Sequence, residues 1–376
     1  MVIRGTYLAT VLAAVLFIAI GHNIAINNMF TFPGVQQEVV RARVQGITER
    51  IPPYDEYGDL IPMLGDRIIF EARVANTVRR GETVAATQNL GGLAGARTKE
   101  VTRGDSILLI WFNGEWHFNG YLRTTRLLGL GILFTLCVLL FGGKKGFNTI
   151  LSLGFTCGAI FAVFIPSILS GANIYLMAFL VCAYTIAMTL LLVIGFNKKA
   201  LCAALGCGSG IVVAGIITAV MDRILLLTGI IDEYSLHLVN LPLETPLNLK
   251  AIIFAGIIIG AMGAVMDVAM SISSSLWELK EKAPMIKFEA LFRSGINIGR
   301  DIMGSMANTL ILAYIGSALS VVLLISVYSD SLFSLLNSEM IVVEILKALA
   351  GSFGILFAMP LTALFCAVFY LENKRR

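Results

Sequence analysis

LKAIIFAGIIIGAMGAVMDVAMSISSSLW, residues 249–277, decides the reading of this chain. It is largely apolar and carries a stripe of small and polar residues: Gly256, Gly260, Gly263, Asp267, Ser271 and Ser274. The steps between them are three or four residues, so on a helix of 3.6 residues per turn all six share one face. About 20 apolar residues cross a hydrocarbon core, so the segment is long enough to span a bilayer. A carboxylate inside such a span costs roughly 2.5–3.5 kcal/mol on insertion scales, and it is therefore expected to face protein or water rather than lipid. The stretch predicts a membrane helix that lines something.

Composition extends this reading to most of the chain. Hydrophobic residues make up 57% and charged residues 14%, and the mean hydropathy is +0.84, against about 25% charged in soluble domains. Runs of about 20 apolar residues give eight expected spans, near 7–26, 127–142, 149–169, 174–196, 200–222, 249–274, 302–327 and 341–370. A polar segment interrupts them, with 11 of the 24 acidic residues between 28 and 125. This divides the chain into an anchor (1–27), an extracytoplasmic domain (28–125) and a seven-span domain (126–376). The net charge of +4 is too small and too dispersed to indicate a nucleic-acid partner. The partner expected from composition is the lipid bilayer.

Basic residues orient the spans. Arg4, Lys144, Lys145, Lys198, Lys199, Lys280, Lys282, Lys287, Arg293, Arg300, Lys374, Arg375 and Arg376 fall at one set of ends, against Arg223, Lys250 and Lys347 at the other. The positive-inside rule then places both termini in the cytoplasm and residues 28–125 outside a bacterial cytoplasmic membrane. Residues 7–26 could also be read as a cleavable signal, but the apolar run continues through Ile24, Ala25 and Ile26, which favours an uncleaved anchor.

The outer segment alternates as strands do. Val40, Ala42 and Val44 alternate with polar residues, and so do Ile68, Phe70, Ala72 and Val74. Asn113-Gly114 stands between two apolar runs, the strongest short-range hairpin signal, because both turn positions can take positive φ. RGETV (80–84) and RGDSI (103–107) each place a turn before an apolar strand. Five or six short strands predict a small barrel of the OB or SH3-like kind, with Trp111 and Trp116 as core or cross-strand partners.

Other polar groups lie in the spans. Asp301, Gly304, Ser305, Asn308 and Gly316 share a face of the seventh, and Gly206, Gly208, Gly210 and Gly215 mark the fifth. Gly206, Gly210, Gly256, Gly260, Gly263 and Gly304 are expected to permit close helix packing. Asp267, Ser271, Ser274, Asp301 and Asn308 are the candidates for a substrate or ion path. Glu344 and Lys347 are expected to neutralise each other. Residues 280–299 place Met285, Phe288, Phe292 and Ile296 at helical spacing, which predicts an amphipathic connector on the inner leaflet.

Enzymatic patterns fail. The residues before Asp267 are Ala264, Val265 and Met266, not the Gly-x-Gly of an intramembrane aspartyl protease, and GCGSG at 206–210 is not a nucleophile elbow. His22, His117 and His237 have no general-base partner at helical spacing. The six cysteines lie in apolar stretches with neither disulfide nor zinc spacing. No catalytic residue, metal or cofactor is expected.

GAMGAVMDVAMSISSSLWEL (260–279) followed by SGINIGRDIMGSMANTLILAYIGSALS (294–320) resembles the signature region of the YibE/F-like family of bacterial multi-pass membrane proteins. The anchor, the outer β domain with its two RG phrases, and KKGFN at 144–148 extend the resemblance upstream. It implies an all-α polytopic bundle with an inserted β domain, of a kind described as permease candidates without an established function. It also implies association, as a homo-oligomer or with a related membrane subunit, and brings no catalytic set. The expected function is a transporter or permease-like component moving a small solute or ion near the sixth and seventh spans. The alternative is a non-transporting assembly subunit whose outer domain docks an envelope or secreted partner.

Overall fold

The computed structural model describes residues 2–27, 38–52, 65–91, 99–243, 246–328 and 331–371. The chain divides into two compact units, residues 31–137 and the remainder. Of the basic residues used above for orientation, Lys374, Arg375, Arg376 and the Arg4 side chain lie outside the described residues.

The first unit is a closed five-stranded barrel: β1 (Val39–Ile51), β2 (Arg67–Val74), β3 (Thr83–Asn89), β4 (Ser106–Phe112) and β5 (Glu115–Tyr121), in the order β1-β2-β3-β5-β4. Strand β3 meets β5 in parallel and every other pair is antiparallel. That Greek-key closure is the OB arrangement rather than the SH3-like one. The expected alternation sets the core: Val40, Ala42, Val44, Ile68, Phe70, Ala72 and Val74 all point inward with Ile107, Leu109 and Trp116. One buried polar side chain is satisfied within this core. Gln88 donates to the Lys99 carbonyl and accepts from Val101 N–H, as burial of an amide requires.

The turns form where the sequence placed them. Asn113 (φ 50°) and Gly114 (φ 87°) make the hairpin, and Trp111 and Trp116 face each other across it at 5.1 Å. Nothing lies within 4 Å of a Cβ at Gly114, so a side chain there is opposed only by the backbone conformation. Gly114→Val should therefore destabilise the barrel by about 1–3 kcal/mol. Thermal unfolding followed by tryptophan fluorescence checks this, and an unchanged midpoint would contradict it.

The second unit is helical: α1 (Val2–Asn27), α2 (Thr124–Gly158), a π-helical turn (Ala159–Phe164) running into α3 (Ile165–Leu169), α4 (Ile174–Val193), α5 (Lys198–Ile224), α6 (Glu233–Val239), α7 (Leu249–Lys282), α8 (Phe288–Tyr328), α9 (Leu332–Asn337) and α10 (Glu339–Leu371). The division between units falls inside α2, after Cys137. Seven helical stretches of the described residues are long and apolar enough to cross a membrane. The expected second and third spans fall in one of them, Thr124–Leu169, whose helical geometry breaks at Gly143 (φ 52°, ψ −128°). The Val138 carbonyl lies against Gly146, although eight residues of straight helix would separate them by about 12 Å. The chain turns back there, and only a glycine readily takes that backbone conformation.

At the centre, α5, α7 and α10 pack on one another at glycines. A Cβ at Gly206 would overlap Thr362 Oγ1, and one at Gly210 would lie 2.7 Å from the Gly354 carbonyl oxygen and 2.8 Å from Ala358 Cβ. Helix α1 docks on the π turn through His22 Nδ1, 2.9 Å from the Ala162 carbonyl oxygen, and on α4 through the stacked Phe17 and Tyr184 rings at 4.1 Å. Glu344 and Lys347 form the expected ion pair. The stretch 280–299 differs from expectation. It has no helix of its own: α7 runs to Lys282, a short loop holds Pro284, and Phe288 opens α8, which continues for 41 residues. Nothing between Gly299 and Ile302 breaks a helix, so Arg300 and Asp301 lie within one.

Candidate functional site

Asn248 caps α7, its side chain accepting from Ala251 N–H at 3.1 Å, and Lys280 and Lys282 complement the negative end of the helix dipole. Between these ends α7 is the best-buried of the membrane-length helices. Ile257, Ile258, Ala261, Val265, Val268, Ala269, Ile272 and Leu276 have essentially no exposure. One line along it stays open. Gly256, Gly260, Gly263 and Asp267 are exposed, and Ser271 and Ser274 are half-buried. The face that the spacing singled out is the face the chain leaves uncovered.

The glycines divide by environment. Gly206 and Gly210 sit at close helix contacts, and a Cβ at Gly260 would lie 2.5 Å from Tyr314 Oη of α8. A Cβ at Gly256, Gly263 or Gly304 would meet nothing within 4 Å. Within this chain those three do not serve close packing.

Helix α8 repeats the pattern. Leu291, Gly295, Gly299, Leu310 and Ala318 are buried, while Asp301, Gly304, Ser305, Asn308 and Gly316 are exposed. A Cβ at Gly295 would lie 2.7 Å from Ala363 Cβ, which identifies α10 as the neighbour of the buried line. Ser305 donates to the Ile302 carbonyl and Thr309 to the Ser305 carbonyl, so those hydroxyls are satisfied by their own helix. Asp267, Asp301 and Asn308 make no side-chain hydrogen bond or ion pair among the described residues. Arg300 and Asp301 do not pair either. Asp267 and Asn308 thus stand on the open lines of neighbouring helices with no bond between them.

The polar residue that sequence reasoning missed is Ser273, one position from the open line and fully buried. Its hydroxyl reaches the Lys199 carbonyl at 2.8 Å and Tyr370 Oη at 2.7 Å, and Tyr370 donates to the Ser273 carbonyl at 3.0 Å. This ties α5, α7 and α10 together. In the run SISSS only the phase of the helix distinguishes it from Ser271 and Ser274. At the opposite end of α5, Asp222 faces Lys250 at 3.8 Å. Among the described residues, no three His, Cys, Asp or Glu side chains converge on a metal-sized point. The six cysteines are free, four of them buried.

The arrangement is therefore an open face of one carboxylate, two hydroxyls and three small residues on α7, beside a second open face of Asp, Ser and Asn on α8. Exposure of Asp267 to hydrocarbon would carry the penalty noted above, and water or a second protein surface relieves it. Comparison with known proteins bears on the helical unit. No curated protein and no solved structure matches the chain. Residues 130–372 match the family model described as YibE/F-like protein, a span that begins after the last barrel strand and contains both open faces. The chain belongs to the YibE/F-like family of proteins.

Proposed function

We propose that this protein is a permease-like component of a membrane path for a small solute or ion. The open faces of α7 and α8 form one wall of that path, and a second copy or a related membrane subunit completes it. The observation that supports this reading is that Asp267 is exposed beside glycines whose missing side chains leave open space. A seam built only for packing within the chain would be filled, as it is at Gly206 and Gly210. In the proposed role Asp267 binds a cation or carries a proton, Asn308 supplies a neutral hydrogen-bonding group, and no covalent step is assigned. The excess of basic residues at one set of helix ends supports a cytoplasmic location for both termini and an outer location for the barrel.

Labelling in native membranes tests this. Single cysteines at Gly263, Ser271 and Asn308, in a background with the six native cysteines replaced by alanine, should react with a water-soluble thiosulfonate. Protection at all three together with disulfide cross-linking between copies would favour the assembly-subunit reading. Protection without cross-linking would leave the faces in lipid and end the proposal. Cysteines at Glu71 and Lys282, treated with an impermeant reagent in intact cells, should label only at Glu71.

A further inference from the structure

The barrel carries a cationic cleft that the proposed path does not use. Its two RG phrases occupy equivalent positions. Gly81 and Gly104 both have φ 94°. Gly81 N–H donates to the Val74 carbonyl and Val74 N–H to the Glu82 carbonyl, each at 2.9 Å. Gly104 N–H donates to the Val44 carbonyl at 2.8 Å and Val44 N–H to the Asp105 carbonyl at 2.9 Å. The strands they clamp carry the same phrase, Ala42-Arg43-Val44 and Ala72-Arg73-Val74. Their registers make Arg43 and Arg73 direct cross-strand partners. An approximate twofold relation inside the barrel thus gathers Arg43, Arg73, Arg80 and Arg103 around one cavity of about 740 Å3.

No carboxylate lines that cavity. The guanidinium of Arg73 lies 3.8 Å from where a Cβ of Gly81 would be, and Arg43 Nε donates to the Gly104 carbonyl at 3.2 Å. The glycines are required there for the positive φ, and a side chain at either would only reach van der Waals contact with a guanidinium group. Among the described residues none of the four arginines forms an ion pair, and Glu71, Glu82 and Asp105, each two residues from one of them, do not pair with them. Other barrel arginines are used differently: Arg50 binds Glu100 and Asp66, Arg67 binds Glu115, and Arg79 binds Glu38 and lies over Trp116. Like charges directly opposite across a sheet are destabilising, so Arg43 facing Arg73 is a local cost that the barrel's own carboxylates leave uncompensated.

Arginine presents a planar fork of donors matched to phosphate oxygens. We propose that this cleft is a binding site for a multiply charged phosphate group, with Arg43 and Arg73 at its floor and Arg80 and Arg103 at its rim. OB barrels commonly take their ligands on the β2–β3 face and at the loops after β1 and β4. This cleft lies elsewhere, at the middle of β1, the end of β2 and the turns before β3 and β4. Two sources carry such a group, a soluble polyphosphate-bearing molecule and the headgroups of anionic lipids.

Calorimetric titration of the full-length protein, in nanodiscs of zwitterionic lipid, with inorganic tripolyphosphate tests the site. Wild-type protein should bind, and Arg73→Gln and Arg43→Gln should each weaken binding at least tenfold. Arg67→Gln, which removes a barrel arginine outside the cleft, should change it less than twofold. Arg73→Gln should also raise the melting temperature of the barrel, because it relieves the facing charges, whereas loss of a structural arginine would lower it. In nanodiscs containing phosphatidylglycerol, weakened tripolyphosphate binding identifies a lipid headgroup as the source, and unchanged binding identifies a soluble ligand. Absence of binding by wild-type protein, equal weakening in Arg67→Gln, or a lowered melting temperature in Arg73→Gln would overturn the proposal.

Discussion

Gly206→Leu should leave almost no folded membrane unit, while Gly256→Leu should leave it intact. Both are small residues on apolar helices, and both substitutions add the same four carbons. At Gly206 the first of those carbons already overlaps Thr362 Oγ1 and lies 2.8 Å from Thr362 Cβ. Thr362 cannot yield easily, because it is fully buried and donates to the Ala358 carbonyl of its own helix. Neither can the backbones, since Gly210 and Gly354 hold α5 and α10 together one turn away and two turns away respectively along their helices. Overpacking costs about 1–3 kcal/mol where a core can adjust and more where it cannot, which is a large share of a marginal total stability. At Gly256 the first of those carbons meets nothing within 4 Å, and the residue is exposed. The amount and monodispersity of protein recovered in detergent measure both effects. Equal recovery of the two variants would mean that α5 and α10 are not in close contact at Gly206.

That contrast also shows how far the sequence could be read. Long apolar runs located the membrane helices, because a span needs about 20 such residues, and alternation located the barrel, because it follows from which face is buried. Asn113-Gly114 and the two RG phrases marked their turns because positive φ restricts residue choice so strongly. The spacing of Gly256, Gly260, Gly263 and Asp267 established that they share a face. It could not establish what that face meets. The glycines of α5 and of α7 are equally small and similarly spaced, yet Gly206 and Gly210 sit against α10 while Gly256 and Gly263 meet nothing in this chain. Partner choice belongs to tertiary packing and leaves no mark in the period of one helix. In the stretch 280–299 the helical spacing was legible and the lack of a break before the seventh span was not. Phe288, Phe292 and Ile296 are at helical spacing as read, but they form the first turns of α8, because no proline or cap interrupts that helix before the seventh span. The cationic cleft was hidden more deeply, since Arg43 and Arg73 become neighbours only through the register of β1 against β2.

Asp267→Asn should abolish function while leaving the amount, fold and assembly of the protein unchanged. The substitution keeps the size of the side chain, removes its ability to ionise and replaces one acceptor oxygen by an NH2 donor. The Asp267 carboxylate makes no hydrogen bond or ion pair among the described residues, so no internal partner is orphaned by the change and stability has no reason to fall. The group nevertheless carries an insertion penalty of about 2.5–3.5 kcal/mol in mid-membrane, and a role in binding or proton movement would account for its presence. Complementation of a strain lacking the gene, read beside protein level and size-exclusion profile, separates the cases. Gly263→Leu adds a side chain beside open space one turn from Asp267, so it should also impair function by obstructing the proposed path, again without loss of folded protein. Suppose instead that Asp267→Asn complements fully and Gly263→Leu changes the size-exclusion profile. The open face of α7 is then a contact between subunits, its glycines serve packing after all, and the path must lie elsewhere.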